Sequence, residues 1–185
     1  MQKTIGLLVG SLRRESFSGK IARALLEMAP PGFVFKVVSL ADLPIYNADF
    51  DTDNQPPASY TAFREEASTL DGLIFITPEY NRSVPAVLKN ALDIGSRPVG
   101  KNVWKGKPGM VISHSPGSYG GFGANHHLRQ CLVPLNVPAM PAPELYLAKI
   151  AESFDEGGMI KDGATKELLK KGVAAYVEWF SKLHG

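Results

Sequence analysis

Short apolar runs alternate with stretches of helical periodicity along almost the whole chain. Thr4–Val9 (TIGLLV) is an apolar run ending at Gly10, and Ser18–Met28 follows with Ile21, Leu25 and Met28 at helical spacing. Phe33–Val38 (FVFKVV) is β-branched and aromatic, which predicts a second strand. Asp42–Gln55 is polar and turn-rich, and Pro56-Pro57 then introduces a helix from about Ala58 to Leu70. Gly72–Thr77 (GLIFIT) reads as a strand buried on both faces. Ser83 stands where it would cap the next helix, Pro85 falls in its first turn, and Val87, Leu88, Ala91 and Leu92 form its apolar face. Pro108–Ser113 (PGMVIS) predicts a fourth strand, and a Gly-rich loop through Gly123 leads into a helix to about Val133. The Pro-rich stretch Pro134–Pro143 leaves room only for a short edge strand at Glu144–Leu147. Thr165–Leu183 closes the chain as an amphipathic helix with Leu169, Val173, Tyr176, Val177 and Phe180 on one stripe.

Strands separated by helical crossovers predict a parallel sheet with helices on both faces. Five such units suit an α/β, flavodoxin-like three-layer sandwich, with a five-stranded parallel sheet in order 2-1-3-4-5. No repeat, low-complexity tract or linker divides the 185 residues, so one domain is expected over 1–185. Composition narrows the partners. Twenty Lys+Arg against 18 Asp+Glu give a net charge of only +2, and the basic residues are scattered, which argues against a nucleic-acid footprint. No apolar stretch approaches the roughly 18 residues of a membrane span, and the N-terminus lacks a secretory h-region. Cys131 is the single cysteine, which suits a reducing compartment. A cytoplasmic protein with no nucleic-acid or membrane partner is expected.

In an open α/β sheet, ligands bind outside the carboxyl ends of the strands where the strand order reverses. Three loops leave such ends. Gly10–Gly19 (GSLRRESFSG) runs from a buried strand to a helix N-terminus, where free N–H groups meet the positive end of the dipole. Ser11, Ser16 and Ser18 add hydroxyls, and Arg13 or Arg14 adds a forked charge; the set suits a phosphate monoester, or else an ordinary solvated helix cap. Neither a Walker loop nor a G-x-G-x-x-G fingerprint is present. Thr77–Pro85 (TPEYNRSVP) puts a polar and aromatic cluster after a buried strand, where Tyr80 can offer a ring face and Asn81 an amide to a flat heteroaromatic ligand. His114–Gly123 (HSPGSYGGFG) carries four glycines in seven residues, so its backbone can approach a ligand closely.

GSLRRESFSGK, TPEYNRSVPAVLKNALDIGSRP and the GSYGGFG loop followed by HHLRQ together resemble the NAD(P)H-dependent FMN reductases, in the branch of bacterial quinone and chromate reductases. The resemblance runs in order over nearly the whole chain. It implies that Ser11, Arg13, Ser18 and Gly19 hold the FMN phosphate. Pro78, Glu79, Tyr80 and Asn81 then contact the isoalloxazine ring, and Ser115 and Gly117 close its other side. It also implies NADPH or NADH as donor, and quinones, free flavin, azo compounds or chromate as acceptors. The expected assembly is a homodimer or homotetramer with flavin sites near the interface. Two positions depart from the branch: Arg82 stands where Tyr is common after PEYN, and Ile94 where Trp is common after LKNALD. At the rim of the cleft, Arg82 either favours anionic acceptors or pairs with a carboxylate such as Glu144 across a subunit contact.

Flavin chemistry needs no obligatory acid–base side chain, so no catalytic residue is assigned. His126 and His127 project about 100° apart on a helix, poor geometry for a shared metal, and Trp104 and Trp179 read as packing residues. The competing functional class is a flavodoxin-type electron carrier, whose acidic docking surface is hard to reconcile with a charge of +2. A phosphoacceptor receiver domain would need acidic residues where Gly10-Ser11 and Thr77-Pro78 stand.

Overall fold

The structure, a computed structural model, describes residues 2–184. Strands β1 (Lys3–Val9), β2 (Phe33–Val38), β3 (Gly72–Pro78), β4 (Gly109–His114) and β5 (Leu145–Leu147) form a parallel sheet in the order β2-β1-β3-β4-β5. The helices are α1 (Phe17–Glu27), α2 (Asp49–Thr52), α3 (Ala58–Ser68), α4 (Ala86–Gly95), α5 (Phe122–Leu132) and α6 (Ala164–His184). This is the flavodoxin-like order that the alternation of the sequence predicts. β3 and β4 are buried at every position, which is why their apolar runs do not alternate.

The pleat sends successive side chains into two cores. Ile5, Leu7, Ile74 and Ile112 pack under α1 and α6 against Ile21, Leu25, Leu169 and Tyr176. Leu8, Leu73, Phe75 and Val111 face α3, α4 and α5 and meet Phe63, Leu88, Leu92 and Leu128. Ile94 points into this second core, and the fully buried Trp104 lies beside it, its indole N–H donating to the Leu92 carbonyl at 3.0 Å. The ring presses on Gly95, where a Cβ would lie 2.4 Å from the indole, so only glycine fits.

Three local departures from the sequence reading turn on side-chain partners. α1 starts at Phe17, capped by Ser16, one residue before the expected Ser18. Ser83 does not cap α4: the N-cap is Pro85, with no side-chain bond, and the Ser83 hydroxyl is 3.0 Å from His127 Nδ1 instead. The polar stretch after β2 contains α2, held by a bidentate ion pair of Arg64 with Asp51 at 2.8 Å on each fork. That pair links residues 13 apart, so no local periodicity reveals it.

Candidate functional site

The three loops lie together because β1, β3 and β4 are neighbours and Pro78 pairs in register with His114. The first loop is pinned by Gly10 N–H to the Ile76 carbonyl at 2.8 Å and by Ser16 N–H to the Arg13 carbonyl at 3.1 Å. Ser16 Oγ accepts the Gly19 N–H at 3.0 Å, so that amide is already satisfied, while the Ser16 hydroxyl hydrogen remains to be donated. The N–H groups of Phe17 and Ser18 have no partner one turn back, as at any helix start. Ser11 is half-buried, and among the described residues the exposed guanidiniums of Arg13 and Arg14 have no ion-pair partner.

Ser18 presents its N–H, and not its hydroxyl, at the start of α1. At the second position of α1 it is 0% exposed, and its hydroxyl lies 2.7 Å from Nε2 of His114. In this conformation its hydroxyl offers no surface to a phosphate. His114 is itself 4% exposed, and its Nδ1 has no partner within the protein. Burial pushes its pKa down to about 4, so the ring is neutral at pH 7.

In the second loop, Tyr80 and Ser83 exchange backbone hydrogen bonds of 3.1 and 3.0 Å across Asn81 and Arg82, both at positive φ (50° and 65°). This is the twist of a two-residue hairpin turn, and it holds the half-exposed Tyr80 ring at the rim. Glu79 is committed elsewhere: its Oε2 accepts the Ala124 N–H of α5 at 3.1 Å. α5 has Gly121 as N-cap and no side-chain cap of its own, so Glu79 supplies one and its charge meets the positive helix end. Within its own chain, Arg82 pairs with Glu79 at 3.5 Å and lies over the Tyr119 ring at 5.4 Å.

The third loop is tied to the segment after β5 by Ser115 N–H to Leu147 O (3.1 Å) and Lys149 N–H to Gly117 O (2.9 Å). Ser115 Oγ donates to the Gly117 carbonyl at 3.2 Å. A Cβ at Gly117 would meet nothing within 4 Å, so this backbone is open to a ligand. Gly120, at φ 59°, packs so closely that a Cβ would fall 2.7 Å from the Tyr146 backbone. His126 and His127 diverge, His126 Nε2 to Tyr146 Oη at 3.0 Å and His127 to Ser83. Burial and the neighbouring Glu144 raise the Tyr146 pKa to about 12.

A cavity of about 450 Å³ opens between the first and second loops, lined by Gly10, Ser11, Leu12, Arg13, Tyr80 and Pro85 among others. It brings expected phosphate residues (Ser11, Arg13) and an expected ring residue (Tyr80) to one space; Ser115 and Gly117 do not line it. Hydroxyls at Ser11 and Ser16, an unpaired guanidinium at Arg13 and a helix N-terminus fit a phosphate monoester. The open backbone at Gly117 and the Tyr80 rim fit a flat ring. These residues fit FMN. What the sequence could not disclose is the pairing of Ser18 with His114, of Glu79 with α5 and of Ser83 with His127, since each joins residues from different loops.

The sequence profile of the family described as NADPH-dependent FMN reductase matches residues 4–152. A quinone reductase of Pseudomonas putida is 48% identical over 176 residues, covering 95% of this chain and 94% of its own. A 2-hydroxy-1,4-benzoquinone reductase of a Burkholderia species is 42% identical over 97% of each chain. Among solved structures, FerB of Paracoccus denitrificans, a flavoenzyme NAD(P)H:(acceptor) oxidoreductase, superposes with a TM-score of 0.89 at 38% identity, over 97% of this chain and 98% of that one.

Proposed function

The chain belongs to the NADPH-dependent FMN reductase family, and we propose that this FMN-dependent NAD(P)H oxidoreductase acts on quinones. The observation that carries the reading is the convergence of the phosphate-type loop, through Ser11 and Arg13, and the aromatic turn, through Tyr80, on one cavity. The quinone acceptor is supported by the names of two relatives above 40% identity. FMN, when bound, supplies hydride uptake from the nicotinamide donor and electron delivery to the acceptor.

The protein's part is placement. Ser11, the Ser16 hydroxyl, Arg13 and the first N–H groups of α1 hold the phosphate. The backbone from Pro78 to Asn81 and the Tyr80 ring bind one side of the flavin ring, Ser115 and Gly117 the other. Glu79 acts through α5, by holding the second loop against the third. The half-exposed Tyr80 leaves a rim open to small acceptors, among which free flavin, azo compounds and chromate stand behind quinones. The chain works as one FMN-binding domain in a homodimer or homotetramer in the cytoplasm. Among the described residues, no helix is long and apolar enough to cross a membrane.

The test is direct. Purified protein should release FMN, not FAD, on denaturation, and should oxidise NADPH or NADH steadily when a benzoquinone is added. FMN uptake without turnover would make the protein an electron carrier instead, and no uptake of FMN would overturn the site. A sizing column reads the oligomer.

A further inference from the structure

The contact of Ser18 with His114 is a fully buried polar pair at the site that binding FMN does not by itself explain. Both residues are shut off from solvent, at 0% and 4% exposure, with Oγ and Nε2 2.7 Å apart. The remaining ring nitrogen, Nδ1, is buried without a protein partner. A buried imidazole with one nitrogen unsatisfied is a poor way to stabilise a core; apolar side chains of similar volume at both positions would do so without any desolvated polar atom. The contact does something else geometrically. Ser18 sits in the first turn of α1, directly behind the amides offered to a phosphate. His114 ends β4, pairs in register with Pro78, and is followed immediately by Ser115 of the ring-binding loop. Phe17 adds an edge-on contact to the same imidazole, with ring centroids 6.4 Å apart.

We propose that His114 is a positioning residue, which through Ser18 sets the phosphate-binding turn of α1 at the correct separation from the loops that grip the flavin ring. FMN engages both ends at once and depends on that separation. Riboflavin lacks the phosphate and does not. This inference rests on FMN binding at these loops, so uptake by the unaltered protein is measured first; if the parent takes up neither flavin, the cofactor reading itself fails.

The experiment is fluorescence titration of apoprotein with FMN and with riboflavin, alongside the melting temperature without flavin. His114→Met keeps volume and removes the hydrogen bond; His114→Gln restores a polar atom near the place of Nε2. His114→Met should weaken FMN by roughly ten-fold or more and change riboflavin little, with the flavin-free melting temperature reading separately the cost of leaving the Ser18 hydroxyl unpartnered. His114→Gln should recover most of the FMN affinity. Should His114→Met fold badly, Ser18→Ala removes the same bond from the other side and should give the same selective loss. Equal losses for FMN and riboflavin, unchanged FMN affinity, or a Gln variant no better than Met would each overturn the proposal.

Discussion

Arg13 and Arg14 are adjacent, both exposed and both free of carboxylates, yet only Arg13 lines the cavity shared with Tyr80. A charge-assisted contact is worth about 1.5–3 kcal/mol, so Arg13→Ala should weaken FMN roughly ten- to a hundred-fold, with Arg14→Ala well behind. Equal losses in a flavin-fluorescence titration would put the phosphate on the other guanidinium. Arg82 is a different kind of arginine. Its side chain is 73% exposed and shares its charge with Glu79, so a field favouring anionic acceptors is weakened at its source. His114 gives the residue scale its pH dependence. Its pKa falls from 6.5 in the unfolded chain to about 4 in the fold through burial. Above pH 6.5 both states are neutral and the stability is intact. As pH drops from 6.5 towards 4 the unfolded chain binds the proton first, and stability is lost, on the order of 3 kcal/mol in full. Chemical unfolding at pH 6.5 and 5 should show a steeper decline for the parent than for His114→Gln; parallel declines would mean that His114 is not the titrating group.

Two helices in this fold are capped by charges that come from elsewhere in the chain. Glu79 caps the start of α5, as described above. At the far end of α3, Lys107 Nζ donates to the carbonyls of Ala67, Ser68 and Leu70 at 2.6, 3.0 and 2.6 Å. An ammonium at a helix C-terminus meets both the orphan carbonyls and the negative end of the dipole. Burial lowers the Lys107 pKa to about 8, so it stays largely charged at neutral pH. Lys107→Met keeps the apolar stem and removes three hydrogen bonds to carbonyls, and should lower the melting temperature by roughly 2–8 °C. Lys107 lies away from the flavin loops, so FMN affinity should be unaffected. An unchanged melting temperature would show that water caps α3 equally well.

At the scale of the molecule, ligand and fold are linked. The cavity is assembled from the loops that follow β1 and β3 and from the start of α4, and it exists only in the folded chain. FMN at about a hundred times its Kd should therefore raise the melting temperature by roughly 5–10 °C, with riboflavin giving less. A melting temperature independent of FMN would contradict binding at this site. Donor and acceptor must reach the cofactor through the same open rim beside Tyr80, so double-reciprocal plots at several quinone concentrations should run parallel. Intersecting lines would require both substrates to be bound together.

The order of the strands was legible in the sequence because it follows from period. TIGLLV, GLIFIT and PGMVIS are continuous apolar runs separated by helical spacing, and chain chirality leaves few ways to connect them. The same order brings the loops after β1, β3 and β4 side by side where the strand order reverses, the place at which such sheets collect ligands. Side-chain commitments were not legible. Ser11, Ser16 and Ser18 look alike in the sequence, yet one lines the cavity, one caps α1 and one is buried against His114. Glu79 reads as a ring contact, and its side chain also caps α5. Ser83 reads as a helix cap and instead meets His127. Each of these depends on which loops the sheet brings within about 3 Å of one another, a distance at which hydrogen bonds form. Periodicity records which face a residue takes along its own element; the partner it finds there is decided only when the elements meet.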